Sequence, residues 1–142
     1  MIVNQLSVFL ENEPGRLLAV TEKLAENDID ICALSLADTS NFGILRMIVN
    51  KPDEAVAILK ETGVIVRLTD VAVVGMDDVP GGMLGALRLL SEKGISVEYM
   101  YASVGKKSGQ AFMILQTDKI NEADALFSEN GFGSIDLANI CG

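Results

Sequence analysis

The spacing of apolar residues changes at the stretch ENEPGRL, residues 11–17. Before it, apolar side chains stand at every second position of residues 6–10, which is typical of a half-buried β-strand. After it, residues 17–24 place apolar side chains three and four positions apart, which is typical of an amphipathic helix. The stretch is therefore predicted to be a corner between a strand and a helix.

A second corner recurs 66 residues later, as MDDVPGGM at residues 76–83. At the same offset Leu24 corresponds to Leu90, and Gly43 corresponds to Gly109. Towards the end of each half an offset of 68 fits better, which indicates a two-residue insertion in one connection. Chance matches do not hold one offset for so long, so the chain is interpreted as a tandem duplication.

Both repeats follow the order strand, helix, strand, strand, helix, strand, which is the split βαβ or ferredoxin-like plan. The predicted fold class is therefore α+β, with a ferredoxin-like βαββαβ sandwich that is duplicated. The predicted domains are residues 1–70 and 71–142, with no linker between them because one strand run follows another directly. In the second repeat the predicted strands are residues 71–76, 96–104, 111–116 and 135–140, and the predicted helices are residues 80–93 and 121–130.

The composition disfavours several classes of function. The 142 residues include 20 acidic side chains, 11 basic ones and no histidine, which gives a net charge of -9 and a pI near 4.4. An acidic surface is repelled by nucleic acids and anionic membranes, so neither is an expected partner. Without histidine the chain lacks the usual general base at neutral pH and the commonest transition-metal ligand. We therefore predict no catalytic residue, no cofactor and no metal, and the protein is not expected to be an enzyme.

Two further features concern location and assembly. Cys32 and Cys141 form no CxxC motif, so both are expected to be reduced. The first residues lack the basic region of a signal peptide and the apolar runs are too short to span a bilayer, so a cytoplasmic location is predicted. The mean hydropathy of +0.35 is high for a chain this short. This predicts that apolar surface is buried in a homodimer or a higher homo-oligomer.

The two corners are the candidate ligand sites. Asn12 and Asp78 have short side chains suited to capping the first helical amides, and a proline at the first helical position needs no acceptor. Gly15 and Gly81 allow another group to approach the backbone closely. The exposed amides and the positive end of the helix dipole suit a carboxylate. Ordinary capping explains one such corner, but the repeated Pro-Gly favours a ligand because capping alone tolerates many residues.

A polar residue also follows the first helix of each repeat, namely Asp30 in Ile-Asp-Ile and Ser96 in Ile-Ser-Val. If a corner holds the carboxylate of a zwitterion, Asp30 can receive its ammonium group, and the acidic field tolerates such a ligand better than a plain anion. The alternative is that Asp30 and Ser96 are ordinary residues at a strand start. Arg16 lies at the unfavourable helix end for a cation, which indicates a contact with a ligand carboxylate.

The candidate ligand-binding residues of the first repeat are Asn12, Glu13, Pro14, Gly15, Arg16, Leu17, Asp30 and Ile31. Those of the second repeat are Asp78, Val79, Pro80, Gly81, Gly82, Met83, Ser96 and Val97.

Residues 10–31, with ENEPGRL and IDI, resemble an ACT domain, the small-molecule-sensing module of many amino-acid biosynthetic enzymes. Residues 74–97, with VPGGM and ISV, repeat the resemblance, so the whole chain is similar to stand-alone tandem ACT proteins. The resemblance implies a paired antiparallel sheet with helices on one face. It also implies an amino acid held between the corner of one domain and the helix exit of its neighbour.

The resemblance also implies roles for single residues. In the serine-sensing domain of phosphoglycerate dehydrogenase, an asparagine of the matching corner contacts the ligand, and that role falls on Asn12. The helix exit of that domain has an asparagine where this chain has Asp30, which changes the expected ligand specificity. In the second repeat Asp78 and Ser96 hold the two positions, so the two sites are expected to differ in ligand or in use.

The leading interpretation is a non-catalytic regulatory protein that senses an amino acid between ACT domains. The alternative is an interaction module that regulates a separate metabolic enzyme without binding a ligand. A third reading is a small enzyme such as an acylphosphatase, but the arginine-bearing glycine loop expected there is not recognisable, since Arg16 follows Pro-Gly inside the predicted helix.

Overall fold

The structure is a computed structural model, which describes residues 1–39, 41–106, 109–132, 135 and 137–141. The elements in chain order are β1 (Ile2–Glu11), α1 (Arg16–Glu26), β2 (Ile31–Asp38), β3 (Phe42–Val49), α2 (Pro52–Glu61), β4 (Ile65–Asp77), α3 (Leu84–Glu92), β5 (Val97–Val104), β6 (Gln110–Thr117), α4 (Ile120–Glu129) and α5 (Leu137–Cys141). The chain forms two compact units. The predicted α+β class and the duplicated ferredoxin-like plan are confirmed.

The first unit consists of Asn4–Thr69 together with Cys141. Its strands lie in the order β2-β3-β1-β4, and β3 pairs antiparallel with both β1 and β2. Helices α1 and α2 pack on one face of these strands, because Leu24 and Leu59 form a core with strand residues such as Leu6. Fully burying side chains of this size stabilises a fold by about 1.5–3 kcal/mol each, so this face holds the helices in place.

The second unit consists of Met1–Val3 and Asp70–Ile140. Its strands lie in the order β4-β6-β5, with β6 antiparallel to both neighbours. Phe127 of α4 and Leu90 of α3 form its core with Val74, which repeats the arrangement of the first unit. The second unit therefore also places its helices on one face of its strands.

The pairing of strands corrects the position of the two-residue insertion. Gly43 pairs with Leu10 in the first unit, and Ala111 pairs with Met76 in the second. Gly43 therefore corresponds to Ala111, and the match of Gly43 with Gly109 is wrong. The insertion lies in the hairpin between β5 and β6, because side chains that face each other across two strands must keep one register.

The strand predicted for residues 135–140 is wrong, since Leu137–Cys141 forms the short helix α5; residue 136 lies outside the described part. The amino terminus lies beside β4 instead. The amide of Val73 donates to the carbonyl oxygen of Met1 at 2.8 Å, and the ammonium nitrogen of Met1 donates to the carbonyl oxygen of Val73 at 3.3 Å and lies 2.6 Å from Oδ1 of Asp124. A C-terminal strand would need the same backbone groups of β4.

The expectation that both cysteines are reduced differs from the structure, in which Cys32 and Cys141 form a disulfide. The two residues are 109 positions apart, and their Cα atoms lie 5.0 Å from each other. Pairing of cysteines depends on this distance in space, which sequence spacing does not reveal.

None of the helices that the structure describes is long and apolar enough to cross a membrane.

Candidate functional site

The first corner joins β1 to α1 through a tight turn. The amide of Glu13 donates to the carbonyl oxygen of Glu11 at 2.8 Å, and Gly15 has a φ of 86°. This left-handed backbone favours glycine. Helix α1 begins at Arg16 with Gly15 as its N-cap, so the expectation that Pro14 occupies the first helical position is wrong.

No side chain caps α1 or α3, whose N-cap residues are Gly15 and Met83. The capping role expected of Asn12 and Asp78 is therefore wrong. Asp78 is held through its backbone instead, since its amide donates to the carbonyl oxygen of Gly109 at 2.9 Å. The first amides of α1 lack a side-chain acceptor and can bind the carboxylate of a ligand.

A cavity of about 330 Å³ opens beside the first corner. Four of the candidate residues line it, namely Asn12, Glu13, Arg16 and Leu17. The rest of its wall comes from Leu10, Glu11, Leu36, Ala37, Asp38 and Gly43. The cavity is open to solvent and is bounded by the corner on one side and by the hairpin between β2 and β3 on the other.

Sequence reasoning missed the hairpin wall. Gly43 pairs with both Leu10 and Asp38, which brings the end of β2 next to the corner. A side chain at Gly43 would enter this space, because its Cβ would lie 3.2 Å from Cδ1 of Leu36 and 3.6 Å from Oδ1 of Asn12. The one available signal was the glycine inside an apolar strand, which often marks a close approach.

Charged side chains of both signs face the cavity. Nη2 of Arg16 lies 2.9 Å from Oε2 of Glu13 and 3.2 Å from Oε2 of Glu11. The hydrogen bond to Glu13, together with the negative charges of Glu13 and Glu11, raises the pKa of Arg16 above its ordinary value. Asp38 adds a third carboxylate to the wall. The lining therefore has more negative than positive charge, and it suits a ligand that carries an amine.

The helix exits line neither this cavity nor the one at the second corner. The amide of Asp30 donates to Oδ1 of Asn50 at 3.0 Å, and the amide of Ser96 donates to Oδ1 of Asp118 at 3.2 Å. The side chains of Asp30 and Ser96 are exposed, and Ile31 is half-buried against the first core. In each unit, therefore, the backbone at the helix exit is hydrogen-bonded to the side chain of a polar residue that precedes the second helix of that unit.

A second cavity, of about 390 Å³, lies beside the second corner. Only two of its candidate residues line it, Val79 and Gly82. Asp78, Pro80, Gly81, Met83, Ser96 and Val97 do not. The other lining residues are Gly75, Met76, Asp77, Gln110, Ala111, Gly131, Phe132, Ile135 and Asn139. Residues of the C-terminal part of the chain thus form a wall that has no counterpart in the first cavity.

The second corner has no room for a side chain at Gly82, the counterpart of Arg16. A Cβ there would overlap the carbonyl oxygen of Asp77, which belongs to the backbone and cannot rotate away. We expect Gly82→Ala to lower the free energy of unfolding by about 3 kcal/mol, as overpacked sites do at the upper end of their range.

Gly43→Ala is the matched control, because the one tight contact of its methyl group would be with the mobile end of Leu36 at 3.2 Å, and its other neighbours lie at ordinary contact distances of 3.6 and 3.9 Å. We expect this control to change the free energy of unfolding by less than about 1 kcal/mol. Urea unfolding measures both, and equal midpoints for Gly82→Ala and the parent would contradict the tight turn.

Comparison with known proteins gives a family match and structural relatives. A family model described as an ACT domain pair matches residues 1–140. The chain is similar to protein BT0572 from Bacteroides thetaiotaomicron, with 37% identity and a TM-score of 0.87 over 93% of this chain and 90% of that one. No curated protein matches it.

The fold is also similar to that of regulatory subunits of aspartate kinase. The ligand-free subunit from Thermus thermophilus has 16% identity and a TM-score of 0.66, over 91% of this chain and 96% of that chain. The subunit from Thermus flavus has 16% identity and a TM-score of 0.61, over 91% and 94%. At this identity the likeness concerns the fold alone.

Proposed function

Because the chain belongs to the ACT family, we propose that it is a regulatory protein that binds an amino acid and has no catalytic activity of its own. The proposed domains are residues 1–70 and 71–142, and the proposed location is the cytoplasm. The observation that carries the proposal is the cavity at the first corner. It brings together candidate residues that the sequence singled out and a second wall from the hairpin.

The cavity wall suits each part of an amino acid. The amides at the start of α1 have no side-chain cap, so they can hold an α-carboxylate. Asp38 and Glu11 present carboxylates to an α-ammonium group, while Leu17 and Leu36 offer apolar surface to a side chain. A zwitterion therefore satisfies the wall better than an anion, which would meet the excess negative charge.

The helix exits, Asp30–Ile31 in the first repeat and Ser96–Val97 in the second, have a proposed role in a dimer. The side chain of Asp30 is exposed and that of Ile31 is half-buried, and neither residue lines either of the two cavities described above. We propose that the exits contact a ligand held at the corner of a second copy of the chain, in a homodimer. The signal would then reach a metabolic enzyme through this assembly.

The direct test is isothermal titration calorimetry of the protein with each of the twenty amino acids. We expect one of them to bind, and we expect Asn12→Ala to weaken it at least tenfold, which corresponds to about 1.4 kcal/mol. Asn4→Ala is the matched control, because Asn4 is an exposed asparagine that lines neither cavity. Its affinity should equal that of the parent.

The absence of heat and of any thermal shift with all twenty amino acids would overturn the proposal. In that case a stoichiometric enzyme partner recovered by pull-down, with binding indifferent to amino acids, would support an interaction module instead. If Asn12→Ala and the parent bind the amino acid with equal affinity, the ligand site is not at the first corner.

A further inference from the structure

Helix α5 is too short to be stable without support. It has five residues, Leu137–Cys141, and isolated helices shorter than about 12 residues are marginal in water. Within the second unit it is nevertheless well packed, since Asn139 is 9% exposed and Ile140 is 3% exposed. Its helical form therefore depends on contacts with the rest of the chain.

The residues that hold α5 in place also form part of the wall of the second cavity. Nδ2 of Asn139 donates to Oε1 of Gln110 at 3.1 Å, and the amide of Lys106 donates to the carbonyl oxygen of Asn139 at 3.2 Å. Gly105 leaves room for this approach, because a Cβ there would lie 3.2 Å from Nδ2 of Asn139. Asn139 and Gln110 both line the cavity. Helix α5 is thus held to the hairpin between β5 and β6 by backbone and side-chain hydrogen bonds.

The last residue of α5 is covalently bound. Cys141 forms the disulfide with Cys32, and Cys32 directly follows the helix exit Asp30–Ile31. Cross-linking positions so distant in sequence removes more conformational entropy from the unfolded chain than closing a short loop would, and in the folded chain the bond ties the end of α5 to Cys32. The disulfide therefore constrains the same helix that supplies Asn139 to the cavity wall.

We propose that α5 is a redox-controlled wall of the second cavity, held in place by the Cys32–Cys141 disulfide and released by its reduction. As a statement about ligand access this rests on the proposed function, because the second cavity lies beside the repeat of the corner that is proposed to bind the amino acid. As a statement about α5 it is independent. No described residue of α5 lines the first cavity, so reduction is expected to affect the second cavity and not the first.

The chemical step is ordinary thiol–disulfide exchange with a dithiol reductant. A thiolate of the dithiol attacks one sulfur, which forms a mixed disulfide and frees the other cysteine as a thiol. The second thiol of the reductant then displaces the remaining cysteine. Two electrons and two protons pass to Cys32 and Cys141, and the dithiol becomes a cyclic disulfide.

Hydrogen–deuterium exchange of the full chain, without any amino acid, tests the proposal with dithiothreitol as the probe. We expect reduction to raise exchange at least tenfold at residues 137–141 and at the amide of Lys106, which donates to Asn139. Peptides from β3 should not change, because β3 contributes no residue to α5 or to the second cavity. Cys141→Ser and Cys32→Ser should exchange as the reduced parent does.

Two results would overturn the proposal. One is equal exchange of α5 in the oxidised and reduced protein. The other is alkylation of both cysteines by iodoacetamide in denaturant, after treatment with oxidised glutathione and without a reductant, since a disulfide would block both. Neither result depends on amino-acid binding. If the protein binds an amino acid but reduction leaves the exchange of α5 unchanged, this inference is wrong and the proposed function is unaffected.

Discussion

Phe127→Ala is expected to lower the free energy of unfolding by about 3–5 kcal/mol, the usual range for a buried phenylalanine. The side chain of Phe127 is fully buried in the core of the second unit. Its ring also packs edge to face on Phe132, with the ring centroids 6.5 Å apart. Truncation removes apolar area from burial, leaves a cavity and deletes the aromatic pair. Urea unfolding followed by circular dichroism measures the change.

Ser128→Ala is the control for this prediction, because Ser128 is the next residue of α4 and is exposed. Its free energy of unfolding should stay within about 0.5 kcal/mol of the parent. Phe132, the ring that packs on Phe127, also lines the second cavity. Phe127→Ala should therefore loosen that wall as well. Equal urea midpoints for the two variants would contradict the assignment of Phe127 to the core.

Gly43→Leu is expected to weaken binding of the sensed amino acid about 100-fold or more, which corresponds to about 2.7 kcal/mol. The new side chain would start 3.2 Å from Cδ1 of Leu36 and 3.6 Å from Oδ1 of Asn12. It would therefore project into the first cavity, whose volume is about 330 Å³, and take up part of the space that a ligand needs. Titration calorimetry measures the affinity, and circular dichroism with a thermal melt establishes that the variant is folded.

Two further glycine variants make this prediction specific. Gly43→Ala adds one methyl group and should weaken binding only a few fold, because the end of Leu36 can move aside. Gly75→Leu enters the second cavity next to Ile135 and should leave the first site unaffected. If folded Gly43→Leu binds as tightly as the parent, the first cavity is not the ligand site.

A larger residue at Gly15 would act through the backbone rather than by crowding the corner. No atom lies within 4 Å of the position that a Cβ would occupy at Gly15, but the φ of this residue is 86°. Gly15→Val would therefore introduce backbone strain, which a β-branched residue tolerates poorly. Gly43 is the better probe of binding, because a side chain there enters the cavity and its φ does not demand glycine.

Much of the local structure could be predicted from the chain alone. The alternating apolar residues of positions 6–10 lie in β1, and the apolar residues at helical spacing in positions 17–24 lie in α1. The duplicated corner singled out Asn12 and Arg16, which lie beside one cavity, and Val79 and Gly82, which lie beside another. The elements could be predicted because a strand and a helix each impose a short period on the residues that they bury.

The hairpin wall of the first site could not be predicted in this way. Leu36, Ala37 and Asp38 are remote from the corner in sequence, and they reach it only through the pairing of β2 with β3 and of β3 with β1. The register of those pairs is set across strands, and comparison of the two repeats in sequence did not supply it. Sequence matching at Gly43 and Gly109 placed the two-residue insertion incorrectly, because two glycines coincided by chance.

The sequence by itself determined the duplication, the order of elements in most of each repeat and the positions of the two corners. Only the tertiary structure decided which segments lie beside β4 and which cysteines are bonded. Residues 135–140 have the composition of a strand, but Met1–Val3 belongs to the second unit and Met1 bonds to Val73, while Cys141 pairs with Cys32. The physical reason is that strand pairing and disulfide formation depend on distance in space between remote segments, whereas periodicity records only what each segment buries locally.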